Sequence, residues 1–174
     1  MKKIFALLSF FLLLNVSATA EMDKSLLLME SKVFPKIIML DKNLPKKVDT
    51  ASKTIMIHVY YDKGFSKEAE AFASLMKKNF YGYNVKTLLS PHVLKSVPTA
   101  YVIVGSKQYG MRVFDKIKNN KRIVFSLYPN GVSYSVVTLQ IGMKVVPLLN
   151  AKNLKIVGVE FNPIIYKVAK FYEN

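Results

Sequence analysis

The chain has 174 residues, 51% hydrophobic and 21% charged, with 7 Gly, 7 Pro and no Cys. That composition excludes a disordered or collagen-like chain, a disulfide scaffold, thiol catalysis and Cys-ligated zinc, and it provides enough chain for one well-packed core. The formal charge is +15, and it is almost all lysine: only Arg112 and Arg122 are arginine, which argues against a dedicated phosphate reader.

Lys2 and Lys3 precede an apolar run at residues 4–14 that only Ser9 interrupts, and Ala18-Thr19-Ala20 follows as a small-x-small pattern. This layout predicts a secretory signal peptide over residues 1–20, cleaved after Ala20, and a single mature domain over residues 21–174. As a helix the apolar run covers about 16 Å against roughly 30 Å of hydrocarbon, too short to span. The expected location is therefore the periplasm, across the inner membrane. Nucleic acid is then not an expected partner, and the basic charge offers at most a weak contact with anionic lipid. The lysines are spread along the chain without a basic block, as on a solvated surface.

Asp23 is placed to cap a helix from Lys24. Leu26, Met29, Val33, Ile37 and Leu40 recur at steps of three and four, with Leu27, Phe34 and Ile38 beside them. Pro35 lacks the N–H that would bond back to Ser31, which predicts a kink or two short helices. Residues 41–53 read as a polar connector. Residues 54–61 (TIMIHVYY) are apolar and β-branched, the pattern of a strand buried on both faces. Ser66 then offers an N-cap, Ala69, Phe72, Ala73 and Met76 a helical face, and Gly82 a stop. Residues 83–89 complete a βαβ unit. Residues 99–105 (TAYVIVG) form a third strand, followed by a helix at 108–118 with Met111, Phe114 and Ile117 at helical spacing. Residues 121–127 form a fourth strand, and Pro129-Asn130-Gly131 a turn. Residues 132–140 and 144–149 read as a hairpin joined at Gly142, residues 150–154 as a short helix, and 156–161 as a last strand. Asn162 and Pro163 open a final helix whose buried face is Ile164, Ile165, Val168, Ala169 and Tyr172. The expected fold is α/β: a single mostly parallel sheet, helices on both faces and an antiparallel hairpin at one edge.

Chemistry-bearing residues are sparse. His58 lies within a buried strand and reads as a core histidine; His92 follows Ser90-Pro91 and reads as a loop or cap. Without Cys or a His pair at ligand spacing, no metal site and no cofactor are expected. No nucleophile elbow, P-loop or dinucleotide fingerprint occurs, so a non-catalytic role is expected. Asp62, Glu68 and Glu70 follow the first strand, at the sheet end where open α/β folds bind ligands, though a solvated helix start explains them as well. Gly105-Ser106-Lys107 gives a weak anion signal at the same end, and Ser126 and Tyr128 end the fourth strand without a partner.

The order of elements resembles the YfiR-like family of small periplasmic proteins. The resemblance is carried by residues 30–40 (ESKVFPKIIML), 54–61, 99–106 (TAYVIVGS), 121–150 and above all 148–172 (LLNAKNLKIVGVEFNPIIYKVAKFY). The chain departs from the family in having no Cys, no Trp, and Leu149 where the family has an aromatic residue. The resemblance implies a periplasmic regulator that binds and represses the periplasmic part of an inner-membrane sensor or diguanylate cyclase, and so lowers cyclic-di-GMP. It implies a partner-binding region at Glu160, Phe161, Ile164 and Ile165, and a homodimer is compatible with it. The alternative is a periplasmic small-solute-binding protein using the sheet end near Asp62, Gly105 and Ser106.

Overall fold

The structure is a computed structural model that describes residues 24–172. The expected signal peptide and the Asp23 cap lie outside the described residues. Among the described residues, no helix is long and apolar enough to cross a membrane.

In chain order the elements are α1 (Lys24–Ile38), β1 (Thr54–Tyr61), α2 (Ser66–Leu75), β2 (Asn79–Phe80), β3 (Tyr83–Ser90), β4 (Ala100–Val104), α3 (Lys107–Ile117), β5 (Ile123–Ser126), β6 (Val137–Ile141), β7 (Val145–Asn150), α4 (Ala151–Val157), α5 (Ile164–Val168) and β8 (Lys170–Tyr172). The strands form one sheet in the order β2-β3-β1-β4-β5-β6-β7-β8. Neighbours from β3 to β6 run parallel, as do β7 and β8. The pairs β2–β3 and β6–β7 are antiparallel. The mostly parallel α/β sheet expected from the sequence is therefore present. The β6–β7 hairpin sits one strand inside the edge, because β8 closes the sheet beyond it.

Register divides the core into two layers. Val59 stands beside Val102, and Val102 beside Phe125, so these three share one face. Phe34 of α1 stacks on Phe125 with ring centroids 4.2 Å apart and meets Phe72 of α2 at 5.8 Å. His58, Tyr60, Tyr101 and Ser126 project to the other face. There Asn120, just past α3, donates to the Tyr101 hydroxyl at 2.6 Å, and the Tyr134 hydroxyl lies 3.4 Å from Ser126 Oγ. Gly110 of α3 is packed so tightly on Tyr134 that an added Cβ would fall 2.4 Å from its ring. Helices thus cover both faces, and strands buried on both sides need the continuous apolar runs that β1, β4 and β5 supply.

Several local expectations change. Pro35 lies inside α1, which runs on as one helix of 15 residues. The proline is buried beside Phe34, and its own carbonyl still accepts from Met39 N at 3.1 Å. The buried stripe of α1 is Leu27, Glu30, Ser31, Phe34, Ile37 and Ile38, whereas Met29 is exposed. Ser66 is the first residue of α2 rather than its cap; Asp62 instead caps the short 3-10 turn Lys63–Phe65 by accepting from Lys63 N. Gly82 does not end α2. With Tyr81 at φ 46° and Gly82 at φ 80°, it makes the two-residue turn between β2 and β3, where left-handed residues match the strand twist.

Met111 is exposed, and Tyr109 and Val113 join Phe114 and Ile117 on the buried face of α3. Residues 132–134 belong to a 3-10 turn, Pro129–Tyr134, in which Gly131 leaves no room for a side chain against Ser126. The strand expected at 156–161 is absent: Ile156 and Val157 finish α4, which stops at Gly158 in the left-handed region (φ 66°). The last strand is instead β8, from residues assigned to the final helix, and α5 spans only Ile164–Val168. Two buried asparagines knit this end together. Asn150 caps α4 through Asn153 N and donates to Val132 O at 2.8 Å, while Asn153 donates to Ser133 O and Ser135 O.

Candidate functional site

In the sheet order, β1 lies between β3 and β4: the chain passes from β1 through α2 and β2 to β3 on one side, then returns to β4 and on to β5 on the other. An open α/β sheet leaves a crevice outside the carboxyl ends of its strands at such a reversal. Here the two strand ends are locked together. Asp62 N donates to Val104 O at 2.9 Å, and Asp62 Oδ2 accepts from Ser106 Oγ at 3.0 Å. Ser106 Oγ also accepts from Tyr109 N and so caps α3. Gly105 permits this approach, since a Cβ there would lie 2.8 Å from the Asp62 Cβ.

Beside this junction is an open crevice of about 620 Å³, bounded by the end of β1, the loop at residues 91–95 and the outer half of α3. The loop wall is fixed. Tyr109 donates its hydroxyl to Pro91 O at 3.3 Å, Leu94 N donates to the Tyr60 hydroxyl at 3.2 Å, and Ser90 Oγ bonds both the N and O of His92. Burial, with the Asp62 charge adding to it, pushes the Tyr109 phenol well above its ordinary range, so it stays a neutral donor. Lys63, Lys95, Arg112 and Lys116 reach the crevice from three segments, and Arg112 and Lys116 are one turn apart on α3.

Of the residues singled out by sequence, Asp62 lines the crevice, whereas Gly105 and Ser106 belong to the junction beside it and do not line it. Ser106 is turned onto Asp62 and Tyr109 instead of lying open as an anion loop. Glu68 and Glu70 are carried off by α2 on the opposite side of the sheet; Glu70 is exposed. His92 lines the crevice from the loop. His58 is a core residue, 2% exposed, with Nδ1 3.2 Å from the Tyr60 hydroxyl, and burial pushes its pKa down. Ser126 and Tyr128 do find partners: Ser126 Oγ faces Tyr134 and accepts from Tyr128 N, and Tyr128 O accepts from Thr138. The sequence reading passed over Lys95, Arg112 and Lys116. The i, i+4 cations of α3 were readable as a pair, but not the loop that faces them.

The residues implied by the family resemblance divide in two. Phe161 (2% exposed) and Ile165 (0%) are core, while Glu160 and Ile164 are exposed. Their segment is tied to the end of α1 by Lys42 N to Glu160 O at 2.9 Å and Asn162 N to Leu40 O at 2.7 Å.

A second chemically unusual place lies under α1. Glu30 is fully buried, and neither carboxylate oxygen has a hydrogen-bond partner. Burial raises its pKa to about 9, so the carboxyl is neutral at pH 7. Among the described residues, no group of three or more acidic, His or Cys side chains is arranged to hold a metal.

No protein-family model matches the chain, and no curated protein matches it in sequence. Among solved structures, it is similar to the ABC domain in complex with L-Trp from Streptococcus pneumonia, with TM-score 0.48 and 14% identity over 78% of this chain and 61% of that one. It is also similar to a conserved domain protein from Vibrio cholerae O1 biovar El Tor, with TM-score 0.44 and 8% identity over 84% of this chain and 60% of that one. The chain spans less than two thirds of the length of each, and at this distance neither bears on function.

Proposed function

We propose that this is a non-catalytic small-solute-binding protein of the periplasm, with its site in the crevice beside β1. The observation that carries this reading is a preformed crevice at the strand-order reversal, with a loop wall held by three hydrogen-bonding residues. Preorganised walls reduce the ordering cost of binding. The test is a panel of neutral, zwitterionic and anionic solutes screened by thermal shift, then mapped by amide NMR. A solute at 100 times its dissociation constant adds about 2.7 kcal/mol of stability. Perturbed amides are expected at residues 61–63, 91–95 and 109–116. No stabilisation by any solute, or perturbation confined elsewhere, overturns the reading.

A second reading is supported by a different surface. Ile164 (54% exposed) and Val168 (58%) lie one turn apart on α5, and Phe171 (48%) stacks on Tyr166 with centroids 6.1 Å apart. Exposed apolar strips of this kind suit a protein partner, here the periplasmic part of an inner-membrane diguanylate cyclase that the chain would repress. Ile164→Glu should change stability by no more than about 0.5 kcal/mol and abolish capture of such a cyclase from membrane extract. Ile165→Ala should instead cost about 2–5 kcal/mol of folding stability. Retained cyclase capture by a folded Ile164→Glu protein defeats this reading.

A further inference from the structure

The charges around the crevice narrow the class of solute. Lys63, Lys95, Arg112 and Lys116 line it against a single carboxylate, Asp62. Asp62 is already engaged: Oδ1 accepts from Lys63 N at 3.0 Å and Oδ2 from Ser106 Oγ. None of the four cations belongs to an ion pair; among the described residues the pairs are Lys47–Asp41 and Lys118–Asp115. The two arginines make the contrast sharpest. Arg122 is spent on structure, donating to Pro98 O, Asn120 O and Lys121 O. Arg112 makes no such bond, is exposed, and lines the crevice with Lys116 one turn away. Four like charges brought to one concavity repel each other unless a counter-charge arrives, and an arginine fork with flanking lysines matches a multiply charged oxyanion. Leu94 and Val113 supply an apolar wall between them.

We propose that the solute is a small organic dianion, a phosphate monoester or a dicarboxylate, whose charged end meets Arg112 and Lys116 and whose body lies against Leu94 and Val113. This rests on the solute-binding reading of the crevice and adds the charge of the solute. The test uses phenyl phosphate, succinate, and the uncharged benzyl alcohol as probes, by calorimetric titration of the full domain. At least one dianion is expected to bind at residues 91–95 and 109–116, at least tenfold tighter than benzyl alcohol. Raising salt from 50 to 300 mM should weaken that binding severalfold. The double variant Arg112→Gln/Lys116→Gln should lose it by tenfold or more, with an unchanged melting transition. The control Lys32→Gln/Lys36→Gln, two exposed residues of α1, should retain it. Phenyl phosphate against succinate separates the phosphate source from the carboxylate one. If benzyl alcohol binds in the crevice and neither dianion does, the dianion assignment falls while the solute-binding reading stands. If dianions bind equally to the Arg112/Lys116 double variant, the assignment also falls, because diffuse surface lysines then explain the binding. If none of the probes, nor any solute of the wider panel, perturbs the crevice, both fall together.

Discussion

Replacing Glu30 by glutamine should leave the protein about as stable as wild type near pH 5 and distinctly more stable at pH 9. The folded protein holds the Glu30 proton up to about pH 9, while the ordinary value is 4.5. Between these values the folded state binds more protons than the unfolded one, so each step up in pH favours unfolding. The slope reaches about 1.4 kcal/mol per pH unit for one such group. His58 acts in the opposite sense: burial lowers its pKa, so acid below the ordinary histidine range of 6.5 costs stability. Above pH 7 that effect is over, and the Glu30 slope stands alone. Tyr128, whose phenol is pushed up by burial and by Glu68, Tyr134 and Glu30, and Tyr134, raised by burial, titrate above this window. Urea denaturation at half-unit steps from pH 6.5 to 9 decides it. A flat wild-type profile, or an equal slope in Glu30→Gln, would show that the carboxyl is hydrated or ionised in the folded state.

Phe34→Ala should cost about 3–5 kcal/mol, the range for deleting a buried aromatic ring. Phe34 is 0% exposed and joins three elements, lying on Phe125 of β5 and against Phe72 of α2 from its place on α1. Phe125 is held by the sheet ladder and Phe72 is fully buried on α2, so neither can move far into the space and the cavity persists. The midpoint in urea should fall with the denaturant slope unchanged. A loss below about 1 kcal/mol would mean that α1 does not rest on the sheet as described. Phe171→Ala, at a residue 48% exposed, serves as the contrast and should cost far less.

The buried strands were legible because their chemistry is local. TIMIHVYY has the same bounds in sequence and structure, and β4 and β5 differ by only a few terminal residues. Misreadings gathered where a distant contact overrules a local pattern. The wide apolar face read on α1 holds for Leu27, Phe34, Ile37 and Ile38, which are buried, but Met29 is exposed and Glu30 is buried in its place, and hydropathy cannot nominate a buried glutamate. The Ile156–Phe161 stretch has strand composition, yet its first two residues finish the helix that Asn150 opens and Gly158 closes, and the rest forms no strand. The short helix from residue 150 was legible, but β-branched content outweighed the glycine that marks its end. The crevice was half legible. Asp62 follows directly from where β1 ends, whereas Lys95 and Arg112 share one crevice only because the loop after β3 crosses to α3.

The two outermost strands are short, Asn79–Phe80 at one side and Lys170–Tyr172 at the other. β8 covers only Leu148 to Asn150 of β7, which leaves Val145, Val146 and Pro147 uncovered along that margin. Pro147 has no amide proton to offer, and the exposed Lys144 lies three residues before it at the hairpin. An incoming chain that tried to extend the sheet would find few free donors, an interrupting ring and a charge it must desolvate. Such margins resist templated growth into fibrils, although a chain that is half hydrophobic carries a standing hazard of it. This guard at the sheet's ends protects the monomer's fold from outside, as the packing of its centre does from within.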